Sequence, residues 1–582
     1  MKRKKRRHKA QKKTRRTKTR CAPTGGRRAL PSYVPESGVP AGAAGAHISS
    51  PAVLQQALAF LQAGRPQEAL RLYRQILTAQ PDHTDALNLG GVAAFQSGDV
   101  NQGLKLLQGA VARRPDYVDA HNNLGNMLKA LGRFDEAEAA YRRALKIKPD
   151  HFDAHYNLGI VLEASARFNE AEAAYGCALE INPGFAEAHF NLGNALKALG
   201  KLDEAVGAYG RALKIRPDHA DAHTNLGSVL WELGKFDEAE AAYGCALEIK
   251  PDHAEAHYNH GIVLQERGRF DEAIAAYHRA LDIKPDYTEA HVNLGYALKE
   301  LGRLDEAEAA YRRAIAIEPD HAPAHANLGD VLLEQGDPQA AVDVCDAYLK
   351  VHPCNSCVLA FKAIALDELG QRDAVRFLVD FDRFIRPVRF TAPAGFTSQA
   401  DFNAALARHV CAHPTLVFAP ASHATRLGKH SGELLVEPKG PVAVLEGMIR
   451  GAAEDYLHSL PADPAHPFLA NRPQGLWLTA WSIVLEAQGH QLPHIHPTAW
   501  LSGVYYVELP DIIKIPAQGQ AGWIEFGRPS SHFHCRVEPE VRAFQPEEGL
   551  MLLFPSYFYH RTVPFESAGK RISISFDVRP VN

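Results

Sequence analysis

A period of 34 residues runs through most of the chain. Within each period, two small residues, one aromatic residue and one proline keep fixed offsets from one another. Small residues let two helices approach closely, the aromatic ring fills the gap beside them, and proline follows a helix that it cannot continue. The pattern therefore predicts a series of helix pairs. The positions that carry it are Gly91, Gly125, Gly159, Gly193, Gly227, Gly261, Gly295 and Gly329; Ala137, Ala171, Ala205, Ala239, Ala273 and Ala307; Tyr141, Tyr175, Tyr209, Tyr243, Tyr277 and Tyr311; and Pro81, Pro115, Pro149, Pro183, Pro217, Pro251, Pro285, Pro319, Pro353 and Pro387.

The predicted helix pairs should stack into a solenoid, because each pair leaves an apolar face that only its neighbour can cover. Nine units span Ser50–Asn355. A degenerate tenth unit, Ser356–Arg389, has lost the glycine and tyrosine positions and is expected to cap the array. A period of 34 with these small, aromatic and proline positions resembles the tetratricopeptide repeat (TPR).

One polar position of the repeat is also constant, because seven successive units carry asparagine at their sixth position. A carboxamide offers two donors and two acceptor sites, which suits a peptide backbone. A row of such groups on a concave surface would hold an extended peptide, and it resembles the asparagine ladder in the repeats of protein O-GlcNAc transferase. The alternative is that each asparagine caps or bridges the helix pairs. The seven residues are Asn123, Asn157, Asn191, Asn225, Asn259, Asn293 and Asn327.

Histidine is equally regular, at the fourth position of the same units. These side chains lie a whole repeat apart, so they form a row and not a cluster around one metal ion. We interpret them as packing residues. The row consists of His121, His155, His189, His223, His257, His291 and His325.

The period stops at Phe390, and the pattern changes to short apolar runs. Two helices, Ser398–His413 and Pro441–Ser459, are predicted first. A series of predicted strands follows, which indicates a compact β-rich barrel or sandwich. The predicted strands are Leu476–Leu485, Leu501–Glu508, Gly522–Phe526, His534–Val537, Leu550–Phe554 and Ile572–Val578.

Two histidines precede the second of these strands. Residues two apart in an extended segment point the same way, so His494 and His496 can direct their imidazoles at one point. A third histidine, His560, follows a later strand. We interpret the three as a metal site. Arg571 and Ser573 share one face of the last strand, and the fork of an arginine can bind a carboxylate through two bonds.

The order of these motifs resembles that of the Fe(II)/2-oxoglutarate oxygenases, in the bacterial branch related to the prolyl hydroxylases. The resemblance covers roughly Phe390 to the C-terminus. It implies a double-stranded β-helix (jelly-roll) that uses Fe(II), 2-oxoglutarate and O2. It further implies that the three histidines bind the metal and that the far carboxylate of 2-oxoglutarate is bound by a second group of residues. That group comprises Arg571, Ser573, Tyr506 and Ser502, with Tyr505 in place of Tyr506 if the strand alternation is shifted by one residue.

The sequence departs from the commonest pattern of these oxygenases, in which the second ligand is an aspartate. With His496 at that position, the ligands are all neutral, which leaves more positive charge on iron and makes zinc or another imidazole-binding metal a rival. A second His-x-His motif, His532 and His534, offers alternative ligands. A degenerate β-domain without an active metal site is a further alternative.

Charge is unevenly distributed along the chain. The net charge is −3, but the first 20 residues hold 13 of the 64 Lys and Arg, which leaves 51 against all 67 Asp and Glu in the remainder. Such a basic tail is expected to be disordered, and it could contact nucleic acid, anionic lipid or an acidic partner. No apolar run follows it, and no apolar stretch is long enough to span a bilayer, so a soluble cytoplasmic protein is expected.

These patterns predict an α+β multidomain protein, in which an all-α TPR solenoid precedes a double-stranded β-helix. The predicted parts are a basic tail and linker (1–49), a solenoid (50–389) and an oxygenase-like domain (390–582). The predicted function is a 2-oxoglutarate-dependent hydroxylase that acts on a protein or peptide presented by the solenoid. The alternative is a non-enzymatic TPR scaffold with a degenerate or structural-metal β-barrel.

Overall fold

The computed structural model describes residues 50–419, 423–514, 519–567 and 569–581. The predicted basic tail and linker, 1–49, lie outside these residues. Helices occupy most of the chain up to Phe384, and the first strand begins at Arg386. The chain divides at Ser165 into two compact units.

The first unit contains helix pairs that follow the 34-residue period. Its helices are α1 (Ser50–Gln62), α2 (Pro66–Ala79), α3 (Thr84–Gln96), α4 (Val100–Arg113), α5 (Val118–Ala130), α6 (Phe134–Ile147) and α7 (Phe152–Ala164).

The second unit continues the helical series and then forms the sheet. Its periodic helices are α8 (Phe168–Ile181), α9 (Ala186–Ala198), α10 (Leu202–Ile215), α11 (Ala220–Glu232), α12 (Phe236–Ile249), α13 (Ala254–Glu266), α14 (Phe270–Ile283), α15 (Thr288–Glu300), α16 (Leu304–Ile317), α17 (Ala322–Glu334), α18 (Pro338–Leu349), α19 (Ser356–Glu368) and α20 (Arg372–Leu378). Later helices are α21 (Phe381–Phe384), α22 (Gln399–Cys411), α23 (Val442–Ser459), α24 (Pro467–Ala470) and α25 (Asp511–Lys514).

The packing within a helix pair confirms the role of the small and aromatic positions. A Cβ placed on Gly227 of α11 would lie 2.8 Å from the ring of Tyr243 in α12. Tyr243 and Ala239 are both buried. The glycine therefore gives the tyrosine ring room to lie directly against the neighbouring helix, and the period repeats this contact along the chain.

The tenth predicted unit differs from the others at both ends. Its helices α19 and α20 form, but Phe361 of α19 takes the place beside Gly329 that a tyrosine ring occupies in other units. The last residues of this unit, Arg386–Arg389, form strand β1 of the sheet. The helices of this unit therefore pack against the β-strands that follow them, and their role as a cap of the solenoid stays a prediction.

The strands form one antiparallel sheet, which confirms the predicted fold class. Within the described residues its order is β1-β8-β5-β10-β4-β9-β6-β7, with β3 on β4 and β2 on β3. We refer to the region from Arg386 onwards as the β-domain. Its strands are β1 (Arg386–Arg389), β2 (Val417–Phe418), β3 (Thr425–His430), β4 (Leu476–His494), β5 (Leu501–Glu508), β6 (Ile524–Phe526), β7 (Arg542–Phe544), β8 (Leu550–Pro555), β9 (His560–Thr562) and β10 (Arg571–Pro580).

The long strand β4 curls the sheet into two layers. Its first half, up to Leu485, pairs with β10, whereas Gln491 and His494 pair with β9. Between the halves, Gln488 has a φ of 67°, and Gly489 follows it. An irregularity of this kind bends a strand and re-aims the side chains beyond it.

Two strand predictions need correction. The predicted strand Leu476–Leu485 is longer than expected, because the polar run after Leu485 continues in extended conformation to His494. The predicted strand His534–Val537 is absent, since that segment lies in the loop between β6 and β7. Its backbone instead makes hydrogen bonds to acidic side chains of the helical repeats. The helix predictions agree with α22 and α23 to within two residues.

The core of the β-domain extends into the last helices. Leu359 and Ala360 of α19 belong to the same buried cluster as Phe384, Leu501 and Phe576. The β-domain and the final helix pair therefore share one core. Among the described helices, none is both long and apolar enough to cross a bilayer.

Candidate metal centre

Three histidines converge at the open end of β4. His494 is the last residue of β4 and is paired in register with His560, the first residue of β9, while His496 follows two residues later. The ring centroids are 4.3 Å apart for His494 and His560, 5.4 Å for His494 and His496, and 5.1 Å for His496 and His560. One ring nitrogen from each lies within 4.8 Å of the others, a spacing that can hold a metal ion.

In each of the three rings, a hydrogen bond engages Nδ1. His494 Nδ1 lies 2.8 Å from Leu492 O, and His560 Nδ1 lies 3.0 Å from Phe558 O. A carbonyl oxygen only accepts, so each Nδ1 carries the proton, and the lone pair is on Nε2. His496 Nδ1 is bound in the same way, but by a carboxylate. The three Nε2 atoms are therefore the ones available to a metal.

The rings of His494 and His560 are held in the neutral state that metal binding requires. Burial lowers the pKa of His494 to about 4 and that of His560 well below its usual range. The nearby imidazoles lower both pKa values further. Metals bind the neutral imidazole, so at neutral pH neither ring has to lose a proton before it can bind an ion.

The carboxylate that orients His496 is Asp577, a residue that sequence reasoning missed. Asp577 Oδ1 lies 2.5 Å from His496 Nδ1 and accepts a second hydrogen bond of 2.7 Å from Ser502 Oγ. Asp577 is buried in the middle of β10. A sequence signal did exist, because polar residues alternate with apolar ones along this strand. The polar set is Arg571, Ser573, Ser575 and Asp577.

The same face of β10 carries a buried cation. Arg571 is 1% exposed and forms no ion pair with any carboxylate among the described residues. Its Nη1 donates to Ser573 Oγ at 3.3 Å, and its guanidinium lies 5.2 Å from the ring centre of Tyr506. Arg571 Nε and the Tyr506 hydroxyl have no hydrogen-bond partner within the described chain. Burial raises the pKa of Tyr506 to about 12 and lowers that of Arg571.

The structure distinguishes the two tyrosines that the sequence left open. Tyr506 pairs in register with Ser573 and faces Arg571. Tyr505 points to the opposite side, where its hydroxyl donates to Asn403 Oδ1 of α22 at 2.6 Å. The predicted alternation along β5 therefore needs no shift.

Ser502 lies beside Asp577 in the sheet. It pairs in register with Asp577 and donates to it, four residues along β5 from Tyr506. At about 3.3 Å per residue, this places it about 13 Å from the Arg571 end of the strand. The hydroxyl of Ser502 is thus bound to the carboxylate that holds His496, and its role in binding 2-oxoglutarate stays a prediction.

The alternative His-x-His motif lies away from this cluster. The backbone of His532 and His534 is bound by two residues of the helical repeats. Lys299 Nζ donates to His532 O, and His534 N donates to Asp330 Oδ1 at 2.6 Å. Among the described residues, the group of possible metal ligands contains His494, His496 and His560 without them.

The asparagine row makes contacts between neighbouring repeats. Asn123 Nδ2 donates to Asn88 Oδ1 at 3.0 Å, and Lys129 Nζ donates to Asn157 Oδ1 at 2.8 Å. Further along the chain, beyond residue 165, Asn225 and Asn293 each donate to a side chain of the preceding repeat. These contacts favour the bridging interpretation at those positions. Peptide binding by the row stays a prediction.

The histidine row has the packing role that was predicted. In each of the seven repeats that carry this histidine, its Nε2 lies 2.8–3.0 Å from the carbonyl oxygen of the proline six residues earlier. The histidine thus ties the start of a helix to the turn that precedes it.

The donor set fits the group that the resemblance implies. Three neutral imidazoles on one side of an ion match the imidazole ligands that Fe(II) accepts, and they also suit zinc. The guanidinium of Arg571, which has no carboxylate partner among the described residues, and the Tyr506 side chain beside it fit an anionic co-substrate.

Comparisons with known protein families find one match in the β-domain and several in the helical repeats. The family described as "Putative 2OG-Fe(II) oxygenase" matches residues 479–577, and several TPR families match segments between residues 60 and 364. No curated protein matches the chain with significance.

The chain is also similar to solved structures of TPR proteins. "YrrB: a TPR protein with an unusual peptide-binding site" is 25% identical, with a TM-score of 0.29 over 32% of this chain and 95% of that chain. The MamA protein is 26% identical, with a TM-score of 0.27 over 30% of this chain and 94% of that chain. The chain contains tetratricopeptide repeats between residues 60 and 364, as the family matches show, and its residues 479–577 match a family of 2OG-Fe(II) oxygenases.

Proposed function

We propose that the protein is an Fe(II)- and 2-oxoglutarate-dependent oxygenase that hydroxylates a protein or peptide client. The observation that carries the proposal is the buried guanidinium of Arg571, which has no carboxylate partner among the described residues. It lies on the same face of β10 as Asp577, which holds a histidine of the candidate metal centre.

An unpaired buried cation is costly unless a ligand completes its environment. 2-Oxoglutarate carries one carboxylate at each end. One end can chelate a metal at the histidine cluster while the other accepts hydrogen bonds from Arg571. The adjacent hydroxyl of Ser573 and the buried hydroxyl of Tyr506 add donors at that end. A site built for a simple structural metal would not need this second anion-binding group.

His494, His496 and His560 would hold the metal through Nε2. Bound Fe(II) would supply the oxidative decarboxylation of 2-oxoglutarate with O2, which yields succinate and hydroxylates the client. The protein's own residues orient the co-substrate and the client. Burial of Arg571 and Tyr506 keeps water away from the carboxylate, which strengthens its hydrogen bonds.

The client assignment rests on the repeats. TPR solenoids bind proteins, and here the last helix pairs adjoin the β-domain directly. The loop between β6 and β7 (527–541), which we call the docking loop, is bound by Lys299 of α15, Asp330 of α17 and Glu368 of α19. A peptide held by these repeats would lie near the β-domain.

The test is succinate formation by the full chain. The protein is purified without oxygen, loaded with Fe(II) and labelled 2-oxoglutarate, and exposed to air. We expect slow succinate production without a client, and a fall of about 100-fold or more in Arg571→Ala. Arg561→Ala is the matched control, because Arg561 is already paired with the carboxylate of Glu525, unlike Arg571.

Succinate from the parent and the Arg561 variant but not from the Arg571 variant would support the oxygenase. Equal production by all three would contradict the role of Arg571. No succinate and no retained Fe(II) would favour the non-enzymatic scaffold. Zinc retained in place of Fe(II) would favour a structural-metal β-domain.

A further inference from the structure

The three candidate metal ligands are oriented in two different ways. His494 and His560 each bind the carbonyl oxygen two residues earlier in their own segment, Leu492 O and Phe558 O. Their orientation is therefore local. His496 lies beyond the end of β4, and its Nδ1 is bound by a side chain 81 residues away.

That side chain, Asp577, is itself firmly held. It lies in β10 between β5 and β4, where it is paired in register with Ser502 and Thr479. Ser502 Oγ donates to Oδ1 at 2.7 Å, and this is the same oxygen that binds His496. The other oxygen, Oδ2, lies 3.8 Å from Arg579 Nη2. The carboxylate thus has a fixed direction before any metal arrives.

We propose that Asp577 is the positioning residue for His496, fixing its Nε2 toward the other two imidazoles and placing a negative charge beside a ligand set that has none. The inference rests on the proposed metal site. The sequence pattern predicted no role for Asp577 in the metal site. Ser502 acts in the same assembly, as the hydroxyl that keeps the carboxylate in place.

Physical reasons favour this role over a simple structural one. A ligating histidine commonly donates its second ring nitrogen to a carboxylate, which fixes its tautomer and makes it a stronger ligand. Asp577 is 4% exposed, and a buried carboxylate needs hydrogen-bond donors. Its donors are Ser502 and the histidine ring itself. An isolated surface ion pair with Arg579 would not require Asp577 to point toward the histidines.

The experiment measures Co(II) binding by the full chain in visible absorption, with no 2-oxoglutarate and no turnover. The variants are Asp577→Ala, Asp577→Asn, Ser502→Ala, Arg579→Gln and His494→Ala. Removal of an outer partner of a metal ligand typically weakens affinity by about 10- to 100-fold. We expect that loss in Asp577→Ala, together with a changed Co(II) spectrum.

The other variants separate orientation, charge and folding. Asp577→Asn keeps an acceptor for Nδ1–H but no charge, so we expect a loss between that of Asp577→Ala and the parent. Ser502→Ala should weaken binding less than Asp577→Ala. Arg579→Gln removes only the 3.8 Å contact to Asp577 Oδ2, so we expect a smaller loss of affinity than in Asp577→Ala. Urea unfolding of each metal-free variant reports its fold.

If Asp577→Ala binds Co(II) with the same affinity and the same absorption spectrum as the parent, the proposal is overturned. Equal losses in Asp577→Ala and Arg579→Gln, in step with lost stability, would also overturn it in favour of a structural ion pair. If the parent and His494→Ala both fail to bind Co(II), the metal site itself falls, and this inference falls with it. Binding by the parent but not by His494→Ala upholds the metal site whatever the result for Asp577.

Discussion

Arg571 is the residue on which the proposed co-substrate site depends. Its guanidinium is buried beside Tyr506 and Ser573, and no carboxylate of the described chain neutralises it. In a finished hydrophobic core such a group would reduce stability, because desolvation of a charge is costly when no counter-charge is present. The residue is therefore better explained by an anion that binds there than by packing.

The first prediction concerns the stability of the metal-free protein. Arg571→Met removes the unpaired charge and keeps similar volume, so we expect the free energy of unfolding to rise by about 1 kcal/mol. Urea unfolding measures it. With Fe(II) and no oxygen, 2-oxoglutarate should stabilise the parent by about 2.7 kcal/mol at a hundredfold excess over Kd, but not the variant.

A marked fall in stability of the metal-free Arg571→Met protein would show that the cation has a stabilising partner. Ser573→Ala is the control for the hydrogen bond to Arg571. It should weaken 2-oxoglutarate binding without raising stability, since it leaves the charge in place.

The second prediction is a pH dependence that arises at His430. This ring stacks on Trp481 at 6.0 Å between centroids, and burial lowers its pKa from 6.5 to about 4. Between these values the unfolded chain binds a proton that the folded protein does not. Stability therefore falls as the pH drops from 6.5 to 4, and this contribution vanishes above 6.5.

Midpoints of urea unfolding measured at about pH 7, 6 and 5 test whether His430 causes this pH dependence. His430→Gln should show a smaller fall with acidification than the parent. His458→Gln, at the exposed end of α23, should retain the parental slope. Equal slopes in all three proteins would contradict the role of His430.

At the scale of elements, the helix pair explains why the period is strict. The two helices touch through a glycine and a tyrosine ring, so neither residue can change alone. The contact is local, within 16 residues of sequence from Gly227 to Tyr243. A pattern read along the chain therefore predicts it well.

The third prediction compares two glycines of one helix pair. A Cβ on Gly227 of α11 would meet the ring of Tyr243 at 2.8 Å, whereas a Cβ on Gly244 of α12 would have nothing within 4 Å. Overpacking typically costs about 1–3 kcal/mol, so Gly227→Ala should lower the free energy of unfolding by that amount. Gly244→Ala should raise it by about 0.5–1 kcal/mol through helix propensity.

Thermal or urea unfolding of the full chain decides between them. Opposite signs support the close contact. Two small effects of the same sign would mean that the tyrosine ring moves aside to accommodate the methyl group.

The long strand β4 was harder to predict than the helices. Its polar stretch after Leu485 reads as a loop, yet it stays extended through a bend at Gln488 and ends at His494. Pairing with β3 and β9 supplies the hydrogen bonds that keep it extended. Such partners come from distant parts of the chain, so local composition could not reveal them.

At the scale of the whole molecule, the last repeats and the β-domain form one structure. Tyr557 Oη donates to Leu378 O at 2.6 Å, and Ser356 Oγ lies 2.8 Å from Ser556 Oγ. The rings of Phe361 and Phe533 lie 5.2 Å apart. Each of these contacts joins a residue before the predicted boundary at residue 390 to a residue after it.

The fourth prediction follows from this shared core. A fragment of residues 390–582 would lack β1 and α19, which pair with β8 and complete the core. We expect it to aggregate or to unfold without cooperativity. A fragment of residues 254–582, which begins at α13, keeps these elements together with Lys299 and Asp330, so we expect it to unfold cooperatively. Near-ultraviolet circular dichroism and urea unfolding distinguish the two fragments.

Cooperative unfolding of the 390–582 fragment, with the same Co(II) affinity as the full chain, would contradict the shared core. It would support the predicted domain boundary at residue 390 instead.

The sequence by itself determined the repeats, the fold class and the three histidines. Each depends on contacts or alternation within a few residues or one repeat: the glycine and tyrosine of a helix pair, or His494 and His496 along one extended segment. These local rules act wherever the pattern occurs, so they can be read without coordinates.

Only the tertiary structure decided which side chains complete the site and where the domains join. Asp577 reaches His496 across 81 residues, and Lys299 binds the docking loop at His532 across 233 residues. The place of Ser502 beside Asp577 and the pairing of β1 with β8 depend on sheet order in the same way. Such contacts follow from strand register and topology, which many distant segments set together, and no single stretch of sequence contains them.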